Sequence, residues 1–191
     1  MNLIDTPILD TSALYKDGTF RLCVYEAGHT ITAYLLNQKI VSVRLLPRPP
    51  VTFTEKKFIS NSWDSFMDIL ESRALELFGG QIAEVVVCGS TSCCSGDISR
   101  IDEISRILAG LSPIDDIDSE DILFELEDRA KEMFSEDHVR AAIVPVAEYL
   151  FVQEEAGHME VSGKEITKII ERFIPRPPEE KRGLLQLLKL A

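Results

Sequence analysis

The chain has 191 residues, 45% of them hydrophobic, which is enough for one compact domain with a sizeable core. Its 32 acidic and 20 basic residues give a net charge of -12, and this argues against a nucleic-acid partner, because affinity for phosphate rests on clustered Lys and Arg. No apolar stretch approaches the ~20 residues of a membrane-spanning helix. The first residues also lack the basic and apolar regions of a secretory signal. We therefore expect a soluble protein of the cytoplasm or an equivalent organelle interior, not a secreted one.

The spacing of apolar residues predicts a mainly α-helical α+β fold with a small β-sheet. In the first half of the chain the predicted elements are a helix at 19–36, a strand at 39–48 and a possible partner strand at 51–58. A helix follows from Ser62, a capping candidate, with Gly79 and Gly80 inside or interrupting it and an apolar continuation to Val87. The first predicted helix is followed directly by the predicted sheet.

The second half of the chain is helical in pattern. A small polar loop is predicted at 89–96, and Asp97 opens the next helix. Further helices are predicted at 122–134 and 135–157, where Pro145 should introduce a kink. Ser162 and Glu165 fit a capping box, which predicts a last helix to about Phe173. Residues 1–175 are thus predicted to form one domain, and 176–191 a Pro-rich linker with an apolar end.

The sequence EAGH occurs twice, and the first copy is preceded by Tyr25. YEAGH differs by one letter from the zinc-peptidase pattern HExxH, in which two histidines four apart hold a metal and the glutamate acts as base. The apolar pattern of a helix continues beyond His29. At His158 it does not, because Gly157 is typical of a helix C-terminus. The second copy is therefore interpreted as a helix end, and His138 as a solvated helix residue.

Longer motifs in the same order resemble the zinc peptidase domain of the FtsH family of ATP-dependent proteases. YEAGHTITAYLL followed by VSVRLLPRP is similar to that family's HEAGH helix and the strand after it. FGGQIAEVVVCG is similar to its LGGRAAEEVVFG stretch, and TSCCSGDI to the loop that carries its third zinc ligand. LFVQEEAGHMEVSGKEITKII resembles its closing helix, turn and cap. The resemblance spans about residues 20 to 174 and implies the FtsH peptidase fold.

The resemblance implies roles for three residues. Glu26 corresponds to the general base, and His29 and Asp97 to two of the three zinc ligands. Tyr25 stands where the family has its first histidine ligand. The phosphate-binding pattern GxxxxGK[ST] of the ATPase module is absent, so no ATP site is expected. The chain resembles a free-standing peptidase domain.

Tyr25 decides what remains of the zinc chemistry. A phenol has an ordinary pKa of about 10 and must lose its proton before it can bind zinc, so His29 and Asp97 are left as two ready ligands where three are usual. We favour a pseudo-peptidase with weak or absent zinc, in which Tyr25 hydrogen-bonds or packs where the metal would lie, towards Asp97. One alternative is an active peptidase with a reduced ligand set, completed by water or ionised Tyr25. The other is a rewired site in which Cys93 or Cys94 supplies a ligand.

The cysteines and the chain end leave further alternatives open. Cys23, Cys88, Cys93 and Cys94 form no CxxC pair and are expected to be free thiols, the last two as small loop residues if they bind no metal. The leucines of 184–190 would suit either docking onto a protein partner or folding back on the domain. A peptide or protein partner is thus possible, and the sequence leaves the oligomeric state undecided.

Overall fold

A computed structural model describes residues 17–56, 62–92, 95–112 and 117–176. The predicted fold class is confirmed: the chain is mainly helical with a small three-stranded antiparallel sheet. In chain order the elements are α1 (Gly18–Leu35), β1 (Lys39–Arg44), β2 (Val51–Glu55), α2 (Trp63–Cys88), α3 (Ser95–Leu111), α4 (Ser119–Met133), α5 (Asp137–Glu155), β3 (Glu160–Ser162) and α6 (Gly163–Ile170).

The sheet has the order β2, β1, β3, and β1 runs antiparallel to both neighbours. The predicted pairing of the first two strands is confirmed, with Arg44 opposite Val51 and Lys39 opposite Glu55. β1 ends at Arg44, four residues before the predicted end at Arg48. The backbone N–H groups of Leu45 and Leu46 instead donate to the carbonyl of Met159, and the prolines that follow have no N–H for a ladder. β2 ends at Glu55, before Lys56, and residues 57–58 of its predicted extension lie outside the described residues.

α1 lies in the middle of the molecule. Twelve of its 18 residues are buried, more than the single apolar stripe of a surface helix would bury. One core forms where α1 packs with β1, α5 and α6, and a second core joins α2, α3 and α4. The helix is covered on several sides, so its polar residues have to find partners inside the protein.

α1 and α2 pack with their backbones almost in contact. A methyl group at Gly28 would lie 2.2 Å from the carbonyl oxygen of Gly79, and one at Gly79 would lie 2.0 Å from Thr32 Oγ1. Only glycine fits this contact. Of the two alternatives for Gly79 and Gly80, the structure has both inside one continuous helix, Trp63–Cys88.

Several predicted helix boundaries differ from the structure by one to three residues. α3 begins at Ser95, although a loop was predicted as far as Gly96, and this puts Asp97 in the first turn, where its negative charge favours the helix dipole. α6 ends at Ile170, followed by a turn, rather than at Phe173. Ser162 does cap α6, but its hydroxyl accepts from Lys164 N, and the Glu165 carboxylate accepts from Tyr149 OH over 2.5 Å.

The second EAGH is a helix end, as predicted. Gly157 has a φ of 81°, its N–H donates to the carbonyl of Glu154, and His158 N–H donates to the carbonyl of Gln153. These two bonds form a Schellman motif. His138 is exposed at the start of α5, also as predicted. None of the helices in the described part of the chain combines the length and hydropathy of a bilayer-spanning segment.

Candidate functional site

Tyr25 and His29 lie one turn apart on the same face of α1. Their rings meet edge to face, with centroids 4.8 Å apart and an interplanar angle of 90°. Both rings lie over Gly80 of α2, where a methyl group would come within 2.6 Å of His29 Cε1 and 2.9 Å of Tyr25 Cε1. The position of the two rings therefore depends on a glycine in the neighbouring helix.

Asp97, in the first turn of α3, meets both of these side chains. The Tyr25 hydroxyl donates a hydrogen bond of 2.8 Å to Asp97 Oδ2. The same oxygen lies 3.4 Å from His29 Nε2. The structure thus brings together the three residues that the motifs singled out, and the expected hydrogen bond from Tyr25 to Asp97 is present.

His29 is oriented by a backbone group of α2. Its Nδ1 lies 2.6 Å from the carbonyl oxygen of Glu76. A carbonyl can only accept, so Nδ1 carries a proton and Nε2 is the nitrogen that faces Asp97. Metal-binding histidines commonly have this same arrangement, with one ring nitrogen on a carbonyl and the other towards the ion. The sequence held no signal for this contact, because any residue at position 76 supplies a carbonyl.

The two ionisable partners shift each other's pKa. Burial by itself lowers the pKa of His29, but the Asp97 carboxylate, the charge of Glu26 and the Glu76 carbonyl outweigh it and raise the pKa above its ordinary value. For Asp97 the directions are reversed. Burial raises the pKa of this carboxyl, but the hydrogen bonds from His29 and Tyr25 outweigh burial and lower the pKa. Both charged forms are therefore favoured, as in an ion pair.

Glu26, the residue matching the family's general base, is bound to the sheet. It is only 4% exposed, and its Oε1 accepts a short hydrogen bond from Thr52 Oγ1 of β2. A buried carboxylate needs such a donor. Thr52 is a site residue that the sequence analysis missed, because nothing in the strand pattern links it to the helix.

These side chains line one cleft of about 330 Å³ between α1, α2, α3 and β2. This volume is at the lower end of the range for ligand pockets. Two arginines also line it. Arg73 Nη1 lies 3.0 Å from Glu76 Oε2, and Arg100 Nη1 lies 3.7 Å from Asp97 Oδ1. The cleft thus carries both signs of charge around an apolar wall that includes Leu22 and Leu77.

The donor set of the cleft does not fit a resident catalytic zinc. His29 and Asp97 provide two ligands, and the third position is occupied by a protonated phenol that donates to Asp97. Within the described ranges, no group of three or more His, Cys, Asp or Glu side chains is placed to hold a metal ion. Cys93 and Cys94, the rewired ligands considered above, lie outside those ranges. Cys23 and Cys88 are free thiols, as predicted, and burial raises the pKa of both.

The segment that leads into α3 is held in place by Glu84. Arg21 donates to Glu84 Oε1 through Nε and Nη2, over 2.9 and 2.7 Å. Ser92 N–H donates to Glu84 Oε2 over 3.0 Å, and its hydroxyl donates to Oε1 over 2.6 Å. Glu84 is 1% exposed. A glutamate inside an apolar run was the available signal for this network, which fixes the chain five residues before Asp97.

Comparison with models of known protein families finds no match, and comparison with curated proteins finds none either. The assignment to the FtsH family therefore remains a prediction from the motifs.

Proposed function

We propose that this protein is an FtsH-type peptidase domain that binds polypeptide without cleaving it. The observation that supports the proposal best is the hydrogen bond from Tyr25 to Asp97 Oδ2, the oxygen that also faces His29 Nε2. A zinc ion shared by His29 and Asp97 would compete with the Tyr25 hydroxyl for this oxygen. It would then find only two ligands ready at neutral pH.

The cost of using Tyr25 as the third ligand is large. To ionise a phenol of pKa about 10 at pH 7 costs about 4 kcal/mol, at 1.36 kcal/mol for each pH unit. The adjacent Asp97 carboxylate opposes a second negative charge, which adds to that cost. Without a bound metal, Glu26 has no activated water to deprotonate, so peptide hydrolysis lacks its electrophile.

The cleft has features that suit an extended polypeptide. In the part of the chain that the structure describes, β2 pairs with β1 on one side only, and its Val51 and Thr52 line the cleft. An edge strand offers backbone donors and acceptors to an added strand, and the neighbouring cavity can take a side chain. We therefore propose an unfolded or extended protein segment as the ligand, bound along β2.

The test compares the natural protein with Tyr25→His and Tyr25→Phe. Each is purified without added metal, its zinc is measured, and its cleavage of a reduced, carboxymethylated lactalbumin is followed. We expect zinc and cleavage only in Tyr25→His, because only histidine restores the third ligand. Tyr25→His combined with His29→Ala serves as the matched control and should lose the zinc again. Zinc with cleavage in the natural protein would show an active peptidase and overturn the proposal.

Binding is tested separately with the same lactalbumin carrying a fluorescent label. The natural protein and Tyr25→Phe should both give saturable binding, because the substitution leaves the residues of β2 unchanged. If neither variant binds while both stay folded, the binding part of the proposal is wrong, whatever the metal analysis gives.

A further inference from the structure

A second concavity shares no lining residue with the cleft. It has a volume of about 430 Å³ and is formed by the end of α1, the middle of α2 and the turn between α4 and α5. We call it the α4–α5 groove. Its apolar lining residues are Leu35, Leu36, Leu75, Met133 and Val139. Leu36 and Met133 are half-buried and pack against the core of α2, α3 and α4.

The rim of this groove carries two exposed carboxylates, Glu132 and Glu136. The rim arginine, Arg129, is directed to Glu71, with Nη1 3.4 Å from Oε2. The groove therefore presents an apolar floor beside local negative charge. A complementary ligand would be an apolar helix face with a basic residue next to it.

The described chain ends against the last turn of α1, the helix whose end supplies Leu35 and Leu36 to the groove. The carbonyl of Ile174 accepts a hydrogen bond of 3.3 Å from Tyr34 OH, and Ile174 itself is 2% exposed. Tyr34 directly precedes Leu35 and Leu36, which line the groove. The described residues thus stop at Arg176, beside the end of α1 that forms one wall of the groove.

The sequence after Arg176 contains the apolar and basic residues that would complement the groove. Residues 177–183 are PPEEKRG, and residues 184–190 are LLQLLKL. A Pro-rich linker of seven residues can span about 20 Å, which exceeds the helix diameter of about 10 to 12 Å. The leucines of 184–190 recur at spacings that share one face of a helix, and Lys189 is the only charge among them.

We propose that the segment 184–190 binds in the α4–α5 groove of its own chain, with its leucines on the floor and Lys189 beside Glu132 and Glu136. The short linker makes this association intramolecular and gives it a high effective concentration. This inference does not depend on the cleft or on the proposed function. It assigns an occupant to the groove and a role to the leucines of the chain end.

The test places a photo-crosslinking amino acid at position 187 of the full chain, with a second protein carrying it at position 181 in the linker. We expect position 187 to crosslink mainly within 129–139, where Met133 is a good acceptor, and to give a product with the mass of one chain. Leu36→Asp should lower the yield about tenfold, because it charges the apolar floor. The matched control is Val152→Asp, at a residue that is 52% exposed on α5 and does not line the groove, and it should leave the yield unchanged.

Three results would overturn the proposal: crosslinks outside the groove, a yield that Leu36→Asp does not lower, or a product of twice the chain mass. The last would assign the groove to a second copy. If Leu36→Asp does not fold, Leu188→Asp replaces it, since it changes only the segment beyond the described domain. Amide exchange in 133–139 should then become several-fold faster, and an unchanged rate would contradict the proposal.

Discussion

The hydroxyl of Tyr25 and the carboxylate of Asp97 join α1 to α3 through a hydrogen bond of 2.8 Å. Tyr25→Phe removes the donor and leaves the half-buried Asp97 carboxylate with one hydrogen bond fewer. We expect the free energy of unfolding in urea to fall by about 1.5 to 3 kcal/mol, the range for a hydrogen bond to a charged group. Tyr149→Phe is the matched control, because it removes the bond to the exposed Glu165 and should cost less than about 1 kcal/mol. An equal loss in both variants would show that burial does not strengthen the Tyr25 bond.

The ion pair of His29 and Asp97 predicts a pH window for stability. The pKa of Asp97 is lowered in the fold, so its contribution is present above the unfolded value of about 3.9 and is lost as the pH falls through the folded value. The pKa of His29 is raised, so its contribution is complete below about 6.5 and is lost as the pH rises through the folded value. The site should therefore stabilise the protein most between about pH 4 and 6.5.

Asp97→Asn is the comparison that isolates this window. The difference in unfolding free energy between the natural protein and Asp97→Asn should be largest near pH 5 to 6 and should shrink towards pH 8, because His29 loses its charge. The measurement is a series of urea titrations in the presence of a metal chelator. A difference that grows above pH 7 would contradict the assigned ion pair.

Gly80 gives a prediction about the shape of the cleft. An alanine in an open helical position stabilises a protein by up to about 1 kcal/mol relative to glycine. At Gly80 the added methyl group would meet the rings of His29 and Tyr25, so we expect Gly80→Ala to destabilise by about 1 to 3 kcal/mol instead. Gly110→Ala in α3, with nothing within 4 Å of the new methyl group, should be neutral or stabilising. Thermal unfolding of the two variants checks the opposite signs.

Glu84 gives a prediction about the segment before α3. Glu84→Ala leaves the Arg21 charge without its carboxylate and Ser92 N–H without its acceptor, so we expect a loss of about 3 to 5 kcal/mol, the cost of breaking a buried ion pair. The rate of amide hydrogen exchange should rise more at Ser92 than elsewhere in the described chain. Glu103→Ala, at an exposed position of α3, is the control and should change neither quantity. Unchanged exchange at Ser92 would mean that Glu84 does not hold this segment.

Most of the helices and their order along the chain could be predicted. Apolar residues at helical spacing mark a buried face, whatever the helix packs against. The strands of the hairpin, β1 and β2, were predictable from their β-branched residues. The burial of α1 on several sides was not predictable. Thr30 and Thr32 are polar but donate to carbonyl oxygens of their own helix, and Glu26 finds its partner, Thr52, only through the fold. Local spacing cannot show such partners.

The candidate site was predicted in part. Tyr25, His29 and Asp97 were found through the order of motifs, and the structure places them together. Their supporting groups were not found. Gly80 acts through the absence of a side chain, and Glu76 acts through its backbone. Thr52 reaches Glu26 across the boundary between sheet and helix. Each of these contacts is tertiary and leaves no periodic signal.

The near contact of Gly28 with Gly79 has a consequence for how the cleft can change shape. Two helices that touch through their backbones have no side-chain layer that can repack between them, so α1 and α2 form a single stiff wall. The opposite walls, β2 and α3, meet α1 through individual side-chain bonds, those of Thr52 and Asp97. A ligand that needs more room must therefore displace β2 or α3. We expect any widening of the cleft to occur at these two walls.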